Sequence, residues 1–95
     1  MDFEWDEDKA EANLIKHGID FVDATRVFFD PHRIERLDDR EDYEEDRFQT
    51  IGAVRGRIIL VVSTERQDVI RIISARPTTR REREAYEAAR GSEET

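Results

Sequence analysis

The stretch RFQTIGAVRGRIILVVSTERQDVIRIISAR, residues 47–76, decides the architecture of this chain. It holds three segments rich in valine and isoleucine: Arg47 to Ala53, Arg57 to Thr64 and Val69 to Arg76. Only Val54-Arg55-Gly56 and Glu65-Arg66-Gln67-Asp68 separate them. Connections that short join antiparallel neighbours, because a parallel pair needs a crossover of roughly a dozen residues or more. The segments therefore form a β-meander. Ile58 to Val62 is apolar at every position, as a strand covered on both sides must be, and takes the centre. Strict alternation along the third segment puts Arg76 on the face of Ile70, Ile72 and Ser74, with Arg71 on the other.

Downstream, Thr79-Arg80-Arg81-Glu82 has the pattern of a capping box and starts a helix that runs to about Arg90. Glu82, Ala85, Tyr86 and Ala89 fall on its inward stripe, and residues 91–95 read as a disordered polar tail. Upstream, Ile34 to Leu37 is a weak strand, followed by an acidic run from Asp38 to Asp46. Further back, Phe3-Glu4-Trp5 alternates like an edge strand. Asp6 caps a helix to about His17, closed by Gly18. Asp20 starts a second helix with Phe21, Ala24, Val27 and Phe28 on one face, ended by Asp30-Pro31. The order β-α-α-β-β-β-β-α predicts a single α+β domain over residues 1–90, with helices covering one face of an antiparallel sheet.

Composition narrows the function. The chain has 95 residues, 37% of them hydrophobic, and no cysteine, so there is no disulfide framework or thiolate metal site. No apolar run approaches the roughly 20 residues that span a bilayer, and the acidic start MDFEWDEDK is unlike a secretory leader. The expectation is a soluble cytoplasmic protein without a membrane role. The net charge of -8 is uneven. Residues 1–50 carry 7 Lys/Arg and 17 Asp/Glu, or -10, whereas residues 51–95 carry 9 and 7, or +2. Almost every base is arginine, whose planar fork suits phosphate or carboxylate.

The arginines gather where a helix least favours them. Arg76 precedes the last helix, and Arg80, Arg81 and Arg83 crowd its first turn, at the positive end of the macrodipole. Ion pairs from Arg80 to Glu84 and from Arg83 to Glu87 compensate only weakly in that orientation. Free backbone N–H groups at a helix start bind anions, so the cluster reads either as a phosphate site or as a solvated helix start held by those ion pairs. Elsewhere, Asn13, Lys16 and His17 lie in NLIKHG. His17 is either a general acid or base or an ordinary helix-end cation beside a glycine cap. Glu45 and Arg47 share a face by period two, as a base and a phosphate ligand or as a plain salt bridge. The acidic run lacks the glycine and closing glutamate of a calcium loop, so no metal or cofactor is expected.

Four ordered blocks carry a more specific signal: FEWDEDKAEANLIKHGIDFVDATRVFFDP, EEDRFQTIG, ILVVSTER and IRIISARPTTRREREAYE. Together they resemble the BrnT family of bacterial type II toxins from Phe3 to about Glu87. The resemblance implies a RelE-like fold, with two N-terminal helices and one C-terminal helix around the meander. It implies a metal-independent ribonuclease, an RNA substrate, and a hetero-oligomer with a dimeric, DNA-binding antitoxin of the BrnA kind. On the family's motifs, SAR gives Arg76 and the TRRER helix start gives Arg80 and Arg83. EEDRF gives Glu45 and Arg47, TER gives Arg66, and KHG gives His17. Arg76 and Arg80 would hold the scissile phosphate, with Arg47 and Arg66 helping and Glu45 or His17 as base. Ser63 departs from the histidine or other ring residue that family members often carry there. The rival readings are a non-catalytic toxin-like partner of a DNA-binding protein, and a plain interaction domain.

Overall fold

A computed structural model describes residues 1–39 and 44–93 of the chain. Strand β1 (Asp2–Glu4) leads into helix α1 (Glu7–His17) and helix α2 (Phe21–Thr25), which continues as a 3-10 turn over Arg26–Phe29. Then follow β2 (Ile34–Asp38), β3 (Arg47–Val54), β4 (Arg57–Arg66), β5 (Val69–Pro77) and α3 (Arg80–Glu93). The strands form one sheet in the order β1-β5-β4-β3-β2. Its β2–β5 part is the expected antiparallel meander, with β4 central, but β1 joins β5 in parallel, so the sheet is mixed.

The N-terminal helices begin where the aspartates put them. Asp6 accepts from the backbone N–H of Asp8 and Lys9, Asp20 accepts from that of Val22, and Gly18 closes α1 at φ 69°. Both meander turns are tighter than expected. Val54 pairs with Arg57 and Arg66 with Val69, leaving two-residue loops, Arg55-Gly56 and Gln67-Asp68, all at positive φ. Such turns match the strands' right-handed twist. Helix α3 also continues past Arg90 to Glu93. Residues 40–43 of the acidic run and residues 94–95 of the expected tail lie outside the described residues.

Two expectations are corrected. Helices cover both faces of the sheet, not one. Phe21, Ala24, Val27 and Phe28 pack on the face that presents Ile59, Val61, Ile72 and Ala75. On the opposite face, Tyr86 of α3 packs with Ile51, Leu60 and Val62. A central strand apolar on both sides requires such double cover.

Arg76 is also on the other face from the one that simple alternation gives. Val62 pairs with Ser74 but Ser63 pairs with Ile72, so Ile73 is an extra residue in β5. One inserted residue reverses the parity of everything after it. Ile70 and Ile72 face the first core, Ile73 faces the second, Ala75 returns to the first, and Arg76 sits beside Leu60 of the second.

Polar side chains complete strand edges where partners run out. Beyond β1, Asn13 of α1 accepts from the Ala75 N–H at 3.1 Å and donates to the Ala75 carbonyl at 2.9 Å and the Ile19 carbonyl at 3.1 Å. Beyond β2, Asp30 accepts from the Ala53 N–H at 2.8 Å and from the Tyr86 hydroxyl. Asn13 thus acts as one more strand residue, and this is what it does in the NLIKHG segment.

Candidate anion-binding face

The bulge brings the arginines of several strands to one face. Leu60 and Val62 of β4 point into the core under α3, so Thr64 and Arg66 share that side by alternation. Register then places Arg71 opposite Thr64, Arg76 opposite Leu60, Arg36 opposite Gln49 and Asp38 opposite Arg47. Arg47 and Gln49 alternate with Ile51, which is in the same core. Arg36, Arg47, Arg66, Arg71 and Arg76 therefore project from the face that α3 covers at Ile51 and Leu60.

Carboxylates hold these guanidiniums in place. Arg76 makes two hydrogen bonds to Glu82, at 2.8 and 2.9 Å, and Arg36 reaches the same carboxylate at 3.3 Å. Glu82 also accepts from the Thr79 N–H at 2.9 Å, while its own N–H donates to the Thr79 hydroxyl at 3.2 Å. The capping box is thus formed, and its acid is shared with two arginines. The fork from Arg76 is the largest influence on Glu82, and with the cap it overcomes burial and holds the carboxyl at about 2. Gln49 accepts from Arg36 at 2.7 Å. An open hollow of about 340 Å3 adjoins this cluster, lined by Arg36, Asp38, Gln49, Arg76 and Glu82 among others.

The other expected residues fall around this centre or away from it. Glu45, just before β3, takes both oxygens to Arg66 at 3.0 Å in an exposed pair. Arg71 lies 3.7 Å from Glu4. Arg80 does not converge with Arg76: it pairs with Glu84 at 3.2 Å, and Glu84 projects from the side of α3 opposite Glu82. Arg83 makes no ion pair among the described residues, and Glu87 pairs with Arg90 at 3.1 Å instead. His17 ends α1, whose Ala10 packs on the first core, across the sheet from Arg76. Ser63 is buried beside Thr50 and Thr64 in a separate groove of about 410 Å3 that has Arg33 as its cation. Among the described residues, no three His, Asp or Glu side chains gather as metal ligands, and no helix is long and apolar enough to cross a membrane.

Arg36, Gln49 and Arg71 were missed by sequence reasoning. Alternation within Ile34 to Leu37 could have offered Arg36, but only the β2–β3 register puts it beside Gln49. The arrangement is that of a small α+β domain with arginines fixed on one sheet face against a capped helix start, a class suited to holding an anionic chain. Residues 5–82 match the family described as ribonuclease toxin, BrnT, of type II toxin-antitoxin system, and the chain belongs to that family. It is therefore a ribonuclease toxin by family, with an antitoxin as partner. No curated protein matches it significantly.

Proposed function

We propose that this chain is an endoribonuclease that cuts RNA without a metal ion and that its arginine face holds the scissile phosphate. One observation carries the reading: two guanidiniums from different strands and a helix-start N–H converge on a single anion, the Glu82 carboxylate, beside an open hollow. A phosphate offers the same charge and planar oxygen pairs, so it can share or replace that carboxylate as the ligand of Arg76 and Arg36. Arg47 and Arg66 extend the track along β3 and β4. Arg80 and Arg83, on the outer side of α3, meet flanking phosphates.

In this reaction a base removes the ribose 2′-OH proton, the 2′ oxygen attacks the neighbouring phosphorus, and the 5′ oxygen leaves with a proton from an acid. The products are a 2′,3′-cyclic phosphate and a 5′-hydroxyl. The arginines stabilise the extra negative charge of the phosphorane. Glu45 is the base this geometry favours over His17, because it shares the arginine face and Arg66 orients it. An antitoxin of the BrnA kind inhibits the enzyme and binds DNA, and the domain is RelE-like in its layering.

The test is cleavage of a labelled RNA by the purified chain with EDTA present. Cyclic-phosphate ends in the wild type and their loss in Arg76→Ala are expected. A folded wild type that binds its antitoxin yet leaves RNA intact would overturn catalysis and favour the non-catalytic partner.

A further inference from the structure

Helix α1 buries the wrong residues for an ordinary amphipathic helix. Its one buried residue is Asn13, whereas Leu14 is 47% exposed and Ile15 79%. Across from Leu14, Val22 of α2 is 54% exposed. Leu14 and Val22 form the walls of a groove of about 430 Å3 with Trp5 and Ala10 in it, rimmed by Glu7, Asp8, Glu11 and Asp20. Trp5 is held edge-on against Phe21, with ring centroids 6.1 Å apart, so this part of the groove is fixed in shape. The rim carboxylate Asp20 already caps α2, but Glu7 and Glu11 make no ion pair among the described residues.

An apolar trough with an acidic rim, in the half of the chain that carries -10, suits an occupant that is apolar along one stripe and basic beside it. We propose that this α1–α2 groove is where the antitoxin anchors, by an amphipathic helix whose apolar stripe seats between Leu14 and Val22 and whose Lys or Arg side chains meet Glu7, Asp8 and Glu11. The groove lies on the first-core side of the sheet, away from Arg76. Anchoring and occlusion of the arginine face are then separate contacts. This inference rests on the antitoxin half of the proposed function and is independent of the catalytic half.

The experiment uses the full chain and the protein encoded by the adjoining reading frame, with binding measured by calorimetry at low and high salt. Leu14→Glu with Val22→Glu should weaken binding by about tenfold or more, as loss of central apolar anchors does. Glu7→Lys with Glu11→Lys should weaken it mainly at low salt, because exposed charges act through screened fields. Circular dichroism and thermal melts check that both variants fold, and both should keep the wild type's activity on RNA. Unchanged affinity in folded variants would overturn the proposal, as would self-association of the chain through this groove or failure of the wild type to bind. Loss of binding only in Arg36→Ala or Arg76→Ala would overturn it too, by moving the anchor to the arginine face. An inactive wild type that still binds through the groove would remove the catalytic reading alone.

Discussion

Arg76 and Glu82 face each other across the strand–helix junction through two hydrogen bonds of 2.8 and 2.9 Å. Their side chains are 32% and 12% exposed, so the pair is only partly screened by water. Glu82 is held at about 2 in the folded chain against an ordinary 4.5. A depressed carboxyl stabilises the fold above its unfolded value, and that stability drains away as pH falls towards the folded value. Acid unfolding should therefore lose on the order of 2–3 kcal/mol from this group alone between pH 4.5 and about 2. Glu82→Gln should be less stable at neutral pH and show a flatter acid limb in urea titrations. An unchanged limb would mean that the pair contributes nothing.

Under the proposed function, Arg76 and Arg80 have separate parts, because they pair with different carboxylates. Arg76 stands with Arg36 at the hollow, while Arg80 is exposed and tied to Glu84 on the other side of α3. Arg76→Ala should slow RNA cleavage by about 100-fold or more, the scale of one lost transition-state donor. Arg80→Ala should act chiefly through the substrate concentration needed, and by less. Equal losses of turnover in the two variants would contradict this division.

Gly52 of β3 is tight for a different reason. A Cβ there would meet Val27 Cγ1 at 3.1 Å, and the Val27 carbonyl and Asp30 Oδ2 at 3.3 Å. Backbone and a held carboxylate yield less readily than a flexible side chain. Gly52→Ala should cost about 1–3 kcal/mol in a denaturant titration, as overpacking does. A cost near zero would show that the 3-10 turn over Arg26–Phe29 moves freely.

Much of the fold was legible because the meander has short turns and the helices have plain caps. The boundary at Asp6 and the stripe of Phe21, Ala24, Val27 and Phe28 follow from local rules and are seen. What failed was long-range. A bulge at Ile73 leaves no local signature in IRIISAR, yet it moves Arg76 to the other face. Arg36 and Gln49 meet only through a register set by residues far apart in the chain. The anion site was foreseen as Arg76 with Arg80. In the structure Arg76 meets Arg36 instead, because both guanidiniums reach the Glu82 carboxylate.

The β4–β5 turn offers a gain. Gln67 and Asp68 adopt φ of 54° and 67°, which side chains rarely adopt without strain, and both loop positions need it. Gln67→Asn with Asp68→Gly supplies the pair that such a turn favours. The double variant should be more stable by roughly 0.5–1 kcal/mol, read from the urea midpoint, with no change in activity.

Tyr86 and Asp30 tie α3 to the open edge of β3. Burial and then the hydrogen bond to Asp30 push the Tyr86 hydroxyl up to about 12 from an ordinary 10.0. Burial opposes ionisation of Asp30 as its largest influence, but the hydroxyl and the N–H groups of Ala53 and His32 together bring its carboxyl below the usual value. A raised tyrosine stabilises the fold below pH 10.0, and that contribution is lost as pH rises through about 12. Absorbance at high pH should show one of the chain's 2 tyrosines ionising late, and Tyr86→Phe should remove that late step. Tyr86→Phe should also cost about 1 kcal/mol, while Asp30→Ala should cost more because it strands the buried Tyr86 hydroxyl and the Ala53 N–H. The double variant should lose less than the sum of the two, since both single changes break the same bond. Full additivity would mean that Tyr86 and Asp30 act independently.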